Sequence, residues 1–452
     1  MLLRQAIHQG SIWRLDRWIV CGLTMKIKTL FAISALYLIF FLVVTWVSGH
    51  LYYLGDASLF FSWWTDAPGY KLIADYYTSL GNSERPSDYL LALRPFMFPL
   101  YLGLYHLIGI AGVQVLQMIM NAASLWLVFV STKSLSNRTW IAVACTTLLA
   151  LTPSFTLLAF HALTESLSIF LVCMFIALIV DRYKNSRQTS LFLATFVISI
   201  LLCIRPVILP FWTVFVAYYV ICWLRERTRS VWQPIMSITP IFCQLILSFA
   251  MTGSPTLSSS GVVNISTWYF PLVYTKNEYG KLMSRKSKEA EEGRRQHPEL
   301  KDKIMYLWKN YRTAIKTYVY LLVVDNLTAK SIFAQHAGQT EDGRKIVLVD
   351  LMKWSIFLNR LFACVHAIML ALMIWLIASW RRVYREKAML VCYLFAVSLI
   401  LPAGFASPWQ GDRYILLAEP LWLVAYGTMV SLFIDRWSSR LITSPKCIHP
   451  SA

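Results

Sequence analysis

Ten apolar stretches recur along the chain, near residues 29–48, 113–132, 139–158, 165–180, 189–204, 207–224, 233–250, 355–379, 388–404 and 414–434. A helix rises 1.5 Å per residue, so about 20 such residues cross the ~30 Å hydrocarbon layer of a bilayer. Lipid offers no hydrogen bonds to the backbone, and unbroken apolar runs satisfy that constraint as helices. The expected fold is an all-α polytopic membrane protein with about ten transmembrane helices. Composition agrees, with 57% hydrophobic and only 14% charged residues. The first 28 residues carry Arg4, Arg14, Arg17, Lys26 and Lys28, and no small-residue cleavage site follows the first apolar run. That run reads as a retained anchor, not a signal peptide. A net charge of +19 would suggest nucleic acid in a soluble chain. In this one it is assigned to cytoplasmic loops that face anionic lipid, so the partner is the bilayer and not nucleic acid.

The positive-inside rule sets the topology. The ambiguous stretch is "RPFMFPLYLGLYHLIGIAG" (94–112), which has Pro95 and Pro99 near its start and His106 further on. If it does not cross, "KSLSNR" (133–138), "DRYKNSR" (181–187), "RERTR" (225–229), "RRVYREK" (381–387) and "DRWSSR" (435–440) all fall in the cytoplasm. If it crosses, they move outside. The expected organisation is therefore a cytoplasmic segment 1–28, a membrane domain 29–434 and a cytoplasmic tail 435–452. Long outer loops span 49–112 and 251–354, and 94–112 lies in or dips into the outer interface. Within the second loop, 304–324 has helical apolar periodicity. It fits an amphipathic helix lying on the membrane or packing on the other loop. Of nine cysteines, seven fall inside apolar runs and none shows CxxC spacing, so neither a disulfide framework nor a zinc site is expected. No cofactor is expected, and metal dependence stays open.

This topology gathers ionisable groups at the outer face. They are Asp56, Asp66, Asp75, Glu84 and Arg94 of the first loop, Glu165 in "HALTESL", Arg205 in "CIRPVILPF", and Asp412 and Arg413 in "WQGDRY". An Arg or Asp at the bilayer centre costs roughly 2.5–3.5 kcal/mol on insertion scales, so such groups belong at span mouths around a shared cavity. Each also has a plainer role. Asp66, followed by Pro68, suits a helix N-terminus. Glu165 would complement a helix dipole. Arg205 and Arg413 would snorkel, although the outer side does not call for positive charge. His106 and His161 fit local hydrogen bonding.

A first outer loop with Asp66 four residues before Tyr70 and "KLIADYY" following, then "RPFMFPLYLGLYHLIG", then "TES" at Glu165, "IRP" at 204–206 and "DRYILLAEP" before the last span, resembles the GT-C superfamily of membrane glycosyltransferases. The likeness is to the branch of protein O-mannosyltransferases and lipid A aminoarabinose transferases, and covers most of 29–434 as architecture. It implies a GT-C-like fold with interfacial helices in the first loop, a polyprenyl-phosphate-linked sugar as donor, an extracytoplasmic acceptor, an acidic first-loop residue as base, and cations on the lipid phosphate. The residue chemistry agrees: such a donor already carries its leaving group, so a carboxylate must deprotonate the acceptor and arginine forks must take the phosphate. On that basis Asp66 is the expected base, with Asp56 and Glu84 in reserve. Arg413 and Arg205 are the expected phosphate clamps, backed by Arg94 and Lys71. Glu165, Asp412, Tyr70 and Tyr414 complete the donor site, where Tyr70, Tyr414, Trp63, Trp64 and Trp409 offer rings to a sugar. The expected location is a bacterial inner membrane with the site facing the periplasm. A transporter or flippase of lipid-linked sugars, and a glycan polymerase or ligase, are the competing readings.

Overall fold

The computed structural model describes residues 27–47, 54–61, 66–79, 82–225, 232–327, 384–405 and 411–443, and all regular structure among these is helical. Five helices are long and apolar enough to cross a membrane: Tyr105–Ser136, Glu165–Asn185, Pro206–Arg225, Trp232–Thr252 and Ile415–Ser438. A bent pair, Thr139–Ala150 with Ser154–Phe160, makes up to a sixth, and Ser34–Trp46, Gln188–Leu202 and Lys387–Ile400 are shorter apolar helices. The expected span 355–379 lies outside the described residues.

Helices are numbered here in chain order. α1 is Ile27–Val47. In the first loop, α2 is Asp66–Thr78, α3 Asp88–Leu93 and α4 Met97–Leu102. Next come α5 (Tyr105–Ser136), α6 (Thr139–Ala150), α7 (Pro153–Leu157), α8 (Glu165–Asn185) and α9 (Gln188–Leu202). α10 is Leu209–Arg225 and α11 Trp232–Thr252. The bundle closes with α16 (Tyr384–Ile400) and α17 (Gly411–Thr443). Between them stand α12 (Phe270–Tyr279), α13 (Lys288–Gln296), α14 (Leu300–Lys309) and α15 (Tyr311–Tyr320).

Residues 94–112 form no continuous helix. α4 stops at Leu102, and Gly109 interrupts α5 with φ 73°, ψ 168°, a conformation that favours glycine. The stretch 304–324 is two helices, not one, parted at Asn310, followed by a π-helical turn at Leu321–Leu327.

Burial separates the centre of the bundle from its wall. The apolar windows of α17 and α8 are 83% and 67% buried, against 17% and 22% for the spans of α10 and α11. Val214, Ile221, Ile246 and Phe249 thus stand exposed, as lipid-facing residues should. Phe175 of α8, Phe211 and Phe215 of α10 and Phe395 of α16 share a ring cluster with centroids 4.3 to 6.0 Å apart. A Cβ on Gly427 of α17 would come within 2.8 Å of Thr132 and 3.0 Å of Cys145. The missing side chain is what lets three helices meet there.

The span after α6 is broken. Pro153 disfavours helical backbone at Thr152 and brings no N–H of its own, and the two halves bend by 63°. A break inside a membrane frees backbone carbonyls, and α5 supplies a ladder of buried amides to meet them. Gln114 Nε2 donates to Phe160 O at 3.1 Å, and Asn121 Nδ2 to Phe155 O at 2.6 Å. Gln117, with its amide turned to donate, reaches Ala159 O at 2.9 Å and His161 O at 3.2 Å. The same region fastens the first loop: Gly55 N donates to Gln114 Oε1 at 2.8 Å and Ala162 N to Phe60 O at 2.9 Å.

The two ends of the bundle differ in charge. At one end Arg138 meets Asp435 at 2.9 Å, Lys184 reaches Ser134 at 3.1 Å, and Arg187 lies 3.5 Å from buried Asp181. Asn137 and Ser186 close α5 and α8 there in left-handed conformations. The other end holds the start of α8, the end of α9 and the first-loop helices.

Two measurements check this fold. Replacing Asn121 with Leu should leave the Phe155 carbonyl bare and destabilise the protein by about 1–3 kcal/mol; an unchanged thermal midpoint in detergent would remove the ladder's structural role. Reporter fusions at Arg138 and Arg187 should read the same compartment and a fusion at Gln296 the other, with the first pair cytoplasmic.

Candidate active site

Asp66 opens α2, and its carboxylate is taken by Arg94 Nη2 in an ion pair whose two side chains are each 17% exposed. Arg94 is positioned by its neighbours. It ends α3 in extended conformation, φ −110° and ψ 115°, as a residue before proline prefers. The corner it occupies is pinned on both sides. Ala92 O and Leu93 O accept from Ser259 N and Ser258 Oγ at 2.8 Å each, and Phe96 N donates to Gln244 Oε1 of α11 at 3.1 Å. The guanidinium also stands 4.9 Å from the centroid of the Tyr70 ring and donates to its hydroxyl at 3.4 Å. Tyr70 is itself fixed edge-on against Phe98 at 4.8 Å.

Lys71 belongs to a different cluster. Nine residues separate Asp66 from Asp75, which at 3.6 residues per turn puts them on opposite faces of α2. Lys71 pairs with Asp75 at 2.7 Å, and Asp75 also accepts from Tyr105 Oη and lies 3.0 Å from His106 Nε2. Partial burial would raise the Asp75 carboxyl, but the hydrogen bonds from Lys71 and Tyr105, the Lys71 charge and the His106 contact outweigh it. The net displacement is below the usual carboxylate range. Lys71, expected as a reserve phosphate clamp, thus stands beside Asp75.

The second pair joins two spans. Glu165, the first residue of α8, is fully buried and meets Arg205 Nη2 at 2.5 Å, while Arg205 is 14% exposed. Glu165 sits at the positive end of the α8 dipole. Arg205 is held in the turn between α9 and α10, and its buried Nε has no hydrogen-bond partner among the described residues. The chain near each arginine is tied to the same helix. Cys203 Sγ, two residues before Arg205, donates to Pro240 O of α11 at 3.4 Å, and Phe96, two residues after Arg94, meets Gln244 one turn further along the same helix. One turn is about 5.4 Å.

The remaining expected residues separate. Asp56 is half-buried beside Gly55, close to the Gln114 contact. Glu84 is exposed between α2 and α3 and makes no ion pair among the described residues. The backbone of Asp412, Arg413 and Tyr414 forms the first turn of α17, but their side chains, like Trp63, Trp64 and Trp409 altogether, lie outside the described residues. Among the described residues, no group of three His, Cys, Asp or Glu side chains is arranged to hold a metal.

One buried acid was not singled out from the sequence. Glu419 of α17 is 8% exposed and accepts from Thr152 Oγ1 at 2.8 Å, at the break between α6 and α7. A lone carboxylate inside an apolar run followed by Pro420 was the available signal. The fold and the paired carboxylates define a helical membrane protein with two carboxylate–arginine pairs at one end. No family model, no curated protein and no solved structure matches the chain.

Removing Glu165 strands a guanidinium, so Glu165→Ala should destabilise the protein by about 3–5 kcal/mol. The double change Glu165→Ala, Arg205→Ala should recover part of that loss in thermal unfolding. A double variant no more stable than the single one would show that the two charges do not depend on each other.

Proposed function

We propose that the chain is an inverting glycosyltransferase of ten transmembrane spans that moves a sugar from a polyprenyl phosphate to an extracytoplasmic acceptor, in a bacterial inner membrane. The observation that carries this reading is the pairing of carboxylates with arginines, Asp66 with Arg94 and Glu165 with Arg205, at the end of the bundle opposite the basic corners. By the positive-inside rule that end faces outward. The resemblance to GT-C enzymes supports the same chemistry.

In this reading the acceptor hydroxyl attacks the anomeric carbon from the face opposite the phosphate. A new C–O bond forms, the bond from the anomeric carbon to the phosphate oxygen breaks, and its electron pair leaves with the polyprenyl phosphate. The acceptor's proton passes to Asp66. A carboxylate held by a guanidinium is a poor base, because the positive charge favours its ionised form. The donor phosphate offers Arg94 a competing bidentate partner, so donor binding draws Arg94 from Asp66 and returns basicity to the carboxylate. Arg205 serves as a second cation, and Tyr70 presents a ring to the sugar. Arg413, six residues before Glu419 on α17, is the remaining clamp in the proposal.

The test is Asp66→Asn. Asparagine keeps the polar contact to Arg94 and cannot accept the proton, and loss of a general base costs about 10²–10⁴ in rate. The variant should insert and bind a labelled polyprenyl-phosphate sugar, yet transfer it at no more than about a hundredth of the parent rate. Near-normal turnover would reduce Asp66 to a structural partner of Arg94. Donor movement across vesicles without any transfer product would favour the flippase reading instead.

A further inference from the structure

The segment after α11 carries a surface that catalysis does not use. α14 and α15 pack on α12 and the turn before it: Tyr306 of α14 lies 5.7 and 5.6 Å from the rings of Phe270 and Tyr274, Tyr269 Oη donates to Ala314 O of α15 at 2.6 Å, and Ala314 and Thr317 are buried. The opposite side is apolar and open. On α14, Ile304 is 50% and Trp308 81% exposed; on α15, Tyr311, Ile315 and Val319 are 51%, 58% and 49% exposed. Within each helix these residues are four apart, so each helix presents a single stripe. Lys309, Arg312 and Lys316, each one residue on from a position of the stripe, are exposed.

The placement of α15 relative to the bundle identifies what this stripe meets. Tyr318 Oη donates to Leu401 O at 2.6 Å, and the rings of Tyr318 and Tyr269 lie 4.8 and 4.9 Å from Phe405. Leu401 follows directly on α16, so α15 joins the bundle where an apolar helix ends, at the depth of a membrane–water boundary. Leu401 and Phe405 are themselves exposed, which continues the apolar wall of the bundle into the stripe. A helix with Trp and aliphatic residues on one face and Lys and Arg at its edge is suited to lie in the headgroup region of a bilayer, with the cations on lipid phosphates.

We infer that α14 and α15 form an interfacial anchor, seated in the leaflet at the ion-pair end and selective for anionic phospholipid. This does not depend on the glycosyltransferase reading.

The experiment places a photoreactive p-benzoylphenylalanine at Trp308 or Ile315 of the full chain, in phosphatidylcholine vesicles with or without phosphatidylglycerol. Both positions should give lipid adducts by mass spectrometry, and the same group at Arg295 on α13 should not. Adducts to a second copy, or to residues 328–383 of the same chain, would overturn the anchor, as would lipid yields no higher than at Arg295. With phosphatidylglycerol present, Arg312→Gln and Lys316→Gln should each lower the lipid yield roughly fivefold, the factor that about 1 kcal/mol per cation near an anionic surface corresponds to. Unchanged yields there would overturn the preference for anionic headgroups.

Discussion

Lipid will not hydrogen-bond a carbonyl, and this chain bends an apolar helix pair by 63° within its bundle. The rest of the arrangement depends on how that conflict is met. Pro153 ends α6 early and lets the chain re-enter through α7, a short 3-10 turn and the tight segment up to Glu165. Gln114, Gln117 and Asn121 of α5 take the carbonyls this exposes. The same contacts fix where α8 begins, hence where Glu165 stands, and through Gly55 and Ala162 they tie the first loop to that point. A polar stripe that would be costly against lipid becomes the joint between scaffold and site.

The two ion pairs follow a related economy of charge. A buried acid and a buried arginine are each unfavourable near hydrocarbon, and each makes the other tolerable. The proposed chemistry alters that balance in a useful direction. A lipid phosphodiester carries one negative charge, whereas the monoester released by glycosyl transfer approaches two at neutral pH. Arginines already at the proposed site would therefore bind the departing group more strongly than the donor. Attraction that grows along the reaction coordinate accelerates the step, while attraction equal at both ends only tightens binding. Asp66–Arg94 is the pair better placed for such exchange, being partly open, and Glu165–Arg205 is the more deeply set.

Much of the scaffold was legible because hydrophobic runs and proline punctuate a membrane chain so plainly. The described helices fall on nine of the ten apolar runs. What hydropathy does not encode is where an apolar run stops being helix. The gap between the runs 189–204 and 207–224 is plain in the sequence, but not that Pro206–Ile208 turn as a 3-10 corner with Arg205 at its start. The break at Asn310 is equally silent in apolar periodicity. Among the candidate site residues, Asp66, Arg94, Glu165 and Arg205 were expected together at one face, though their pairing was not legible, since it joins positions 28 and 40 residues apart. Lys71 pairs as the sequence allows. It lies five residues after Asp66, which on a helix turns it well away, and four before Asp75, which brings it alongside.

The distribution of polar groups also bears on the competing transport reading. Carrying a sugar headgroup across a bilayer needs polar groups along the path that are available to a moving ligand, and ionisable residues near the midplane are its usual sign. The buried amides of α5 are numerous enough to suggest such a path. Yet Gln114, Gln117 and Asn121 each spend their N–H groups on backbone carbonyls of the broken span, and Gln114 also accepts from Gly55. Releasing them to a ligand would uncover those carbonyls in a dry interior, at roughly 1–3 kcal/mol apiece. The Asp66–Arg94 pair is partly open and needs no such sacrifice. The amides of α5 therefore offer no ready path to a moving ligand, whereas an exchangeable pair at one end fits the proposed transfer of lipid-linked sugar.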